Sequence, residues 1–186
     1  MAEFKQISFE LKDSRTANIR SAQPADARAT MELYREVIDE GRFALVQPEE
    51  LKRDLEQEEH NIRQELISPQ KLRLVVELEG EVVAMAKISA GELARTEHFG
   101  EIDSVWVRSD LRGFGIGSAL MNKMEEWARQ EAELEKLGLY VFSTNERAIQ
   151  LYLRQGFEVE GRCPKDIKFG EGDYADTLVM GKLLVQ

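Results

Sequence analysis

One stretch decides how the chain folds: residues 101–118, which read EIDSVWVRSDLRGFGIGS, together with the amphipathic run that continues to Arg129. Strand formers dominate from Ile102 to Val107, and a turn at Ser109-Asp110 follows them. Beyond the glycines, apolar side chains recur at helical spacing, namely Leu120, Met121, Met124, Trp127 and Ala128. The pattern predicts a strand, a glycine-rich loop and a helix, in that order.

Three alternating glycines, Gly113, Gly115 and Gly117, precede and open the predicted helix. They carry no side chain that would hold a ligand away from the backbone, so the free N–H groups at the helix start can point outward together. These groups and the positive end of the helix dipole favour a phosphate, and Arg112 adds a full positive charge. A glycine-rich turn alone is weak evidence, and the alternative is a tight strand-to-helix connection with no ligand.

Two common nucleotide-binding motifs fit this loop poorly. A P-loop requires Lys followed by Ser or Thr after its last glycine, whereas Ser118 and Ala119 follow Gly117. The dinucleotide fingerprint ends in G-x-x-G and requires an acidic residue after the next strand. The next predicted strand, 137–142, ends in Ser143-Thr144 instead. Neither motif therefore describes the loop.

The composition bounds the class of protein. A chain of 186 residues makes one domain or at most a small pair. A net charge of −10 disfavours nonspecific nucleic-acid binding and would attract a cationic amine, although a surface that only keeps the protein soluble has the same composition. One cysteine, Cys163, excludes an internal disulfide and is typical of a reducing compartment. With no apolar membrane span and no signal peptide in residues 1–6, we expect a cytoplasmic protein without membrane partners.

The N-terminal half is predicted to begin with a polar segment and two helices. Residues 1–16 are either a disordered leader or an extra edge strand, ahead of a domain that spans 17–186. A strand over 17–23 precedes a helix that starts at Pro24 and ends at Gly41. A second helix is predicted from Pro48 to Ile67, and its many charged residues are interpreted as a solvated face.

The second half alternates strands and helices. Residues 72–78 and 81–89 form a half-buried hairpin around Glu79-Gly80, and 91–100 is a loop. After the central helix, a buried strand at 137–142 leads to a helix capped by Thr144 or Asn145. Two terminal strands, 158–163 and 174–184, close the chain.

Two of these segments resemble signatures of the GNAT superfamily of N-acetyltransferases. Residues 112–117, RGFGIG, resemble the Q/R-x-x-G-x-G/A signature that in this family cradles the pyrophosphate of acetyl-CoA. Residues 145–157, NERAIQLYLRQGF, resemble the family's N-x-x-A-x-x-L-Y-x-x-x-G-F helix. The predicted order of elements over 17–184 is also that of the family. The resemblance implies an α/β fold, the GNAT-like acyl-CoA N-acyltransferase fold, with a mixed, mostly antiparallel sheet and helices on both faces.

The resemblance implies a reaction and a cofactor site. The protein would transfer the acetyl group of acetyl-CoA, a co-substrate, to a primary amine of a small molecule or protein N-terminus by direct attack in a ternary complex, without a metal. The branches it is similar to acetylate ribosomal-protein N-termini, polyamines or amino acids. Backbone amides of the central strand would hold the oxyanion and the pantetheine. The cofactor-binding residues implied are Val105, Trp106, Val107, Arg112, Gly113, Phe114, Gly115, Ile116, Gly117, Ser118 and Asn145.

The resemblance also implies two catalytic side chains. Tyr152 matches the acid that faces the leaving thiolate, since a phenol with a pKa of about 10 stays neutral at pH 7; its alternative is a core aromatic residue. Glu101 matches the carboxylate base, acting directly or through water. Asp103, which shares its strand face if no bulge intervenes, is the competing base. For either carboxylate the alternative is a solvated or ion-paired side chain.

The sequence also leaves alternative functions open and predicts the metal content and the assembly of the protein. A non-catalytic acyl-CoA-binding or sensing module, or a binding protein for another phosphate ligand, would keep the glycine-rich loop. His60 and His98 are not at metal-ligand spacing with Cys163, so no metal site is predicted. We expect a homodimer, which is common in families this chain resembles, and an exposed edge on strand 174–184 would serve for pairing.

Overall fold

The computed structural model of the chain describes residues 6–52 and 54–184. Within them, eight strands follow in chain order: β1 (Ile7–Glu10), β2 (Thr16–Ser21), β3 (Lys71–Leu78), β4 (Glu81–Ala90), β5 (Phe99–Val107), β6 (Lys136–Phe142), β7 (Glu158–Gly170) and β8 (Asp173–Leu183). The four α-helices of the same residues are α1 (Ala27–Asp39), α2 (Leu55–Ile67), α3 (Ile116–Gln130) and α4 (Glu146–Arg154).

The strands form a single sheet in the order β1-β2-β3-β4-β5-β6-β8-β7. Neighbours are antiparallel except β5 and β6, which run parallel, so the predicted mixed and mostly antiparallel sheet is confirmed. The parallel pairing ends at Ile102 and Leu139, although the two strands continue to Val107 and Phe142. Past that point β5 has no strand partner on the side that faces β6. The sheet therefore opens along the second half of its central strand.

Helices cover both faces of the sheet, as predicted. The larger core lies under α3 and α4, while a smaller core lies under α1 and α2. Strand β3 serves both, because successive side chains point to opposite faces: Leu74 and Val76 join the larger core, and Val75 joins the smaller one. The prediction of a half-buried strand at 72–78 was therefore wrong, since a sheet with helices on both faces buries both sides of its strands.

Helix α2 differs from its prediction in its start and in its charged face. It begins at Leu55 rather than Pro48, because Pro48–Glu50 forms one 3₁₀ turn and Leu51 then takes an extended conformation (φ −68°, ψ 95°). Two of its acidic residues are buried instead of solvated. Glu58 and Glu65 both pair with Arg73 of β3, and the Arg73 Nε lies 2.6 Å from a Glu65 carboxylate oxygen. The ion pairs are what allow these charges to lie under the helix.

The N-terminal segment contains the edge strand that was one of its two predicted forms. Residues 7–10 pair antiparallel with β2, and Leu11 is buried in the larger core. Residues 1–5 of the predicted leader lie outside the described residues.

The C-terminal hairpin is longer than predicted and occupies a different place. Strand β7 continues to Gly170, past the predicted end at Cys163. Strand β8 lies between β6 and β7, so the prediction of an exposed edge on 174–184 was wrong; the free edge at this end of the sheet belongs to β7. At the other boundary, Phe99 and Gly100 belong to β5 and not to the predicted loop.

Candidate functional site

A cleft of about 910 Å³ opens where β5 and β6 separate. Residues 103–107 of β5 form one wall and residues 140–142 of β6 form another. The N-terminal end of α3, one side of α4, and the side chains of Val37 and Phe43 complete the lining. The cleft is thus a consequence of the interrupted strand pairing, and its walls carry free backbone groups of β5.

Most of the predicted cofactor residues line this cleft: Val105, Trp106, Val107, Arg112, Gly113, Gly115, Gly117, Ser118 and Asn145. The other two do not. Ile116 is buried in the core, and Phe114 packs against its edge. In the glycine-rich loop, the side chains of 114 and 116 thus anchor the loop to the core while the glycines face the opening.

The geometry of the loop frees backbone donors. The first hydrogen bond at the start of α3 runs from the Ala119 N–H to the Gly115 carbonyl (3.0 Å), so the N–H groups of residues 116–118 lack a partner within the helix. Gly113 and Gly115 have φ angles of +92° and +101°, and a Cβ on either would project into open space. Gly117 differs, because its Cβ would lie 3.0 Å from Leu151 Cδ2 of α4. Two glycines therefore leave the free N–H groups of the loop accessible to a ligand, and the third allows α3 and α4 to pack closely.

Arg112 is held by the protein rather than free for a ligand. Its Nε donates to the Val107 carbonyl (2.9 Å), and its Nη1 donates to a carboxylate oxygen of Glu40 (2.7 Å) just past α1. The charge that the sequence assigns to phosphate binding is therefore already paired with a carboxylate.

Tyr152 projects from α4 into the cleft wall and is only 8% exposed. Its helix is capped by Asn145, whose side-chain oxygen accepts from the Ala148 N–H (3.2 Å), so Asn145 both caps α4 and lines the cleft. Burial raises the pKa of the Tyr152 phenol to about 12. Within the described residues its hydroxyl has no hydrogen-bond partner. It is a neutral donor at neutral pH, available to a bound molecule.

The two candidate bases are placed differently. A register shift between β4 and β5 leaves Asp103 without a partner residue, because Lys87 pairs with Ser104 and Ile88 with Ile102. Asp103 therefore occupies a β-bulge, so the condition under which it would share a strand face with Glu101 is not met. It lines the cleft and forms an ion pair with Lys87 (3.0 Å), whereas Glu101 is exposed outside the cleft lining.

Trp106, although bulky, does not obstruct the strand. Its ring stacks on Tyr34 of α1, with ring centroids 4.4 Å apart and planes 17° apart. The neighbouring Val105 and Val107 pack against the larger core on the opposite face. Alternation along β5 therefore places the indole under α1, on the face opposite to Val105 and Val107.

The charge of the cleft is opposite to that of the whole chain. Among the lining residues are four cations, Lys12, Arg112, Arg147 and Arg154, and one carboxylate, Asp103. An anionic ligand is thus favoured locally despite the net charge of −10. Sequence reasoning missed three of these cations. Arg147 lies inside the second signature stretch, but Lys12 comes from the segment interpreted as a leader or edge strand and carries no motif.

The segment after α1 closes one end of the cleft against the terminal hairpin. Arg42 forms an ion pair with Asp173 (3.2 Å), and its guanidinium lies 5.0 Å from the ring centroid of Phe169. Phe169 in turn makes an edge contact with Phe142, which lines the cleft (centroids 6.1 Å apart). Arg42, which directly precedes the cleft-lining Phe43, thus connects the segment after α1 to the terminal hairpin.

The described residues contain neither a metal-binding cluster nor a membrane-spanning helix. No group of three or more His, Cys, Asp or Glu side chains there is arranged to hold a metal ion. Among the helices of 6–52 and 54–184, none has the length and apolar character needed to span a membrane.

Comparisons with known proteins agree with this geometry. The model of the acetyltransferase (GNAT) family matches residues 32–157. The L-amino acid N-acetyltransferase AaaT of Escherichia coli K12 is 31% identical over 111 residues, which cover 60% of this chain and 67% of that protein. The matches to two other curated relatives cover only 38% and 53% of the lengths of those proteins.

Solved structures share the fold over nearly the whole chain. An acetyltransferase of the GNAT family from Streptococcus pneumoniae superposes with a TM-score of 0.84 at 27% identity, covering 90% of this chain and 99% of that one. The protein yncA of Salmonella typhimurium, solved with its cofactor acetyl-CoA, superposes with a TM-score of 0.80 at 23% identity, covering 91% and 95%.

Proposed function

The chain belongs to the acetyltransferase (GNAT) family, and we propose that it transfers the acetyl group of acetyl-CoA to a primary amine of a small molecule or protein N-terminus by direct attack in a ternary complex. The observation that carries this proposal is the position of the Tyr152 hydroxyl. It is a buried, unpaired phenol in a cleft that has free N–H groups of α3 at one end. Cofactor phosphates at the α3 end would bring the thioester toward β5.

Acetyl transfer requires an oxyanion-binding site, an acid for the departing sulfur and a base for the amine. The amine nitrogen attacks the thioester carbon, a C–N bond forms, and the carbonyl oxygen becomes an oxyanion before the C–S bond breaks. Backbone amides within Val105, Trp106 and Val107 are proposed to bind that oxyanion and the pantetheine; alternation along the strand turns those of Val105 and Val107 to the side of β5 that lacks a strand partner. Tyr152 would give its proton to the departing sulfur.

The amine must lose a proton to a carboxylate or to water. Asp103 lines the cleft, which supports it as the group nearest to the amine. Glu101 is exposed on the same strand, and as the base it would act through water. The two carboxylates predict different pH profiles of turnover when each is substituted.

The lining supports an acceptor with one amino group in preference to a polyamine. Asp103 is the single carboxylate among the lining residues, and Lys12, Arg147 and Arg154 there would repel a second ammonium group. The lining also carries apolar side chains, namely Val37, Phe43, Trp106 and Phe142. A small amine with an apolar substituent, an amino acid included, matches this lining.

A panel of amines, with release of free CoA thiol as the readout, tests the proposal. We expect turnover with apolar monoamines or amino acids and little with spermidine. Binding of acetyl-CoA without turnover of any small amine or N-terminal peptide would instead favour the acyl-CoA-sensing module. A thermal-shift comparison with ATP and NAD completes the test, because stabilisation by one of these and not by acetyl-CoA would favour a binding protein for another phosphate ligand.

A further inference from the structure

The turn between β1 and β2, residues 11–15, lies directly on the glycine-rich loop; we call it the N-terminal turn. The Lys12 N–H donates to the Phe114 carbonyl (3.2 Å), and the Arg15 guanidinium lies 5.8 Å from the centroid of the Phe114 ring. Leu11, at 2% exposure, anchors the turn in the larger core. These contacts fix the turn beside the start of α3, where cofactor phosphates are proposed to bind.

Among the described residues, the side chain of Lys12 has no hydrogen-bond or ion-pair partner, unlike those of the nearby Arg15 and Arg112. It lines the cleft, and among the described residues no carboxylate pairs with it. Arg15, on the same turn, is paired with Asp13 at 2.7 Å, and Arg112 is paired with Glu40. The protein thus neutralises the two arginines at this end of the cleft and leaves the lysine charge uncompensated.

We propose that Lys12 binds a phosphate group of coenzyme A, so that the N-terminal turn is part of the cofactor site; this inference rests on the proposed function. Coenzyme A carries a pyrophosphate and a 3′-phosphate, which together present more negative charge than the α3 amides can compensate alone. A flexible lysine stem anchored by its own backbone on the loop can follow such a group at little cost in structure. Lys12 lies outside residues 32–157, the part of the chain that the family model matches.

Calorimetric titration of Lys12→Gln tests the inference. We expect the Kd of acetyl-CoA to rise roughly 3- to 10-fold, the effect of removing one partly exposed charged contact, with a smaller salt dependence of binding. S-acetylpantetheine, which has no phosphate at the proposed contact, should bind both proteins equally. Acetyl-3′-dephospho-CoA identifies the phosphate: a defect that disappears with this ligand assigns the 3′-phosphate, and a defect that persists assigns the pyrophosphate.

Two variants serve as controls. Lys12→Arg keeps the charge and should restore most of the affinity, whereas Lys52→Gln makes the same charge change outside the cleft and should leave it unaltered. An unchanged acetyl-CoA Kd in Lys12→Gln overturns the inference, and so does a defect that Lys12→Arg fails to relieve. Failure of the unsubstituted protein to bind acetyl-CoA would instead overturn the proposed function.

Discussion

At the scale of single residues, Tyr152 has the clearest division between a structural and a chemical role. Its ring packs in the core, with the Phe157 centroid 6.0 Å away, while its hydroxyl has no partner among the described residues. Tyr152→Phe should therefore keep the packing and lower turnover roughly 10²- to 10⁴-fold, the usual effect of losing a general acid. Steady-state kinetics with a good amine and thermal unfolding measure the two effects separately. Near-normal turnover in Tyr152→Phe would exclude the acid role and leave Tyr152 as a core aromatic residue.

The raised pKa of Tyr152 also predicts that the unsubstituted protein and Tyr152→Phe differ in how their stability depends on pH. Burial raises the pKa to about 12, above the value of about 10 expected in the unfolded chain. The unfolded chain therefore loses this proton first. The contribution of Tyr152 to stability is present below pH about 10 and is lost as the pH rises toward 12. Between these values, the free energy of unfolding should fall less steeply in Tyr152→Phe than in the unsubstituted protein.

The two candidate bases make separate predictions for the pH dependence of turnover. If Asp103 takes the amine's proton, Asp103→Asn should slow turnover at neutral pH and recover toward high pH, where the amine loses its proton unaided. Glu101→Gln, outside the cleft lining, should then keep the unsubstituted profile. The reverse result would assign the base to Glu101 acting through water. Two unaltered profiles would leave the proton to solvent.

At the scale of elements, the junction of β5 and α3 combines ligand binding with packing. Gly115 has a φ of +101° and open space at its Cβ position, whereas the Cβ of residue 117 would meet Leu151 of α4. We expect Gly115→Ala to cost about 1–2 kcal/mol of stability through backbone strain and to weaken acetyl-CoA binding roughly tenfold through displaced amides. Gly117→Ala should mainly lower stability, because its methyl group points at α4.

Chemical denaturation and calorimetry on both glycine variants separate these effects. In each variant, the loss of acetyl-CoA affinity is compared with the loss of folding stability. Equal affinity for acetyl-CoA in Gly115→Ala and in the unsubstituted protein would remove the loop from the cofactor site, whatever the change in stability.

At the scale of the whole molecule, we expect a homodimer, and the sheet order changes where its interface would lie. Strand β8 is interior, so β7 offers the free edge. Three register shifts along β7 interrupt its pairing with β8, and such irregular edges resist open-ended strand addition. Light scattering at micromolar concentration should give twice the chain mass of 21.3 kDa. A monomeric mass over the whole concentration range would contradict the expectation.

The sequence by itself determined the features that depend on neighbours along the chain. Strand, glycine-rich loop and helix follow in order from residues 101–129 because periodicity and glycine conformation act over a few residues. The Asn145 cap and the inward position of Tyr152 are likewise local, since both follow from the helical repeat of 145–157. Together with the resemblance of residues 112–117 and 145–157 to the GNAT family, these short-range features predicted the fold class and many of the residues that line the cleft.

The tertiary structure alone decided which distant charges meet and where each strand lies in the sheet. Arg112 pairs with Glu40, Arg73 buries two carboxylates of α2, and Lys12 reaches a loop about a hundred positions away in sequence. The bulge at Asp103 and the interior place of β8 depend in the same way on pairing between strands. No local pattern encodes these contacts, because charges and strand edges find their partners only when packing brings separate segments together.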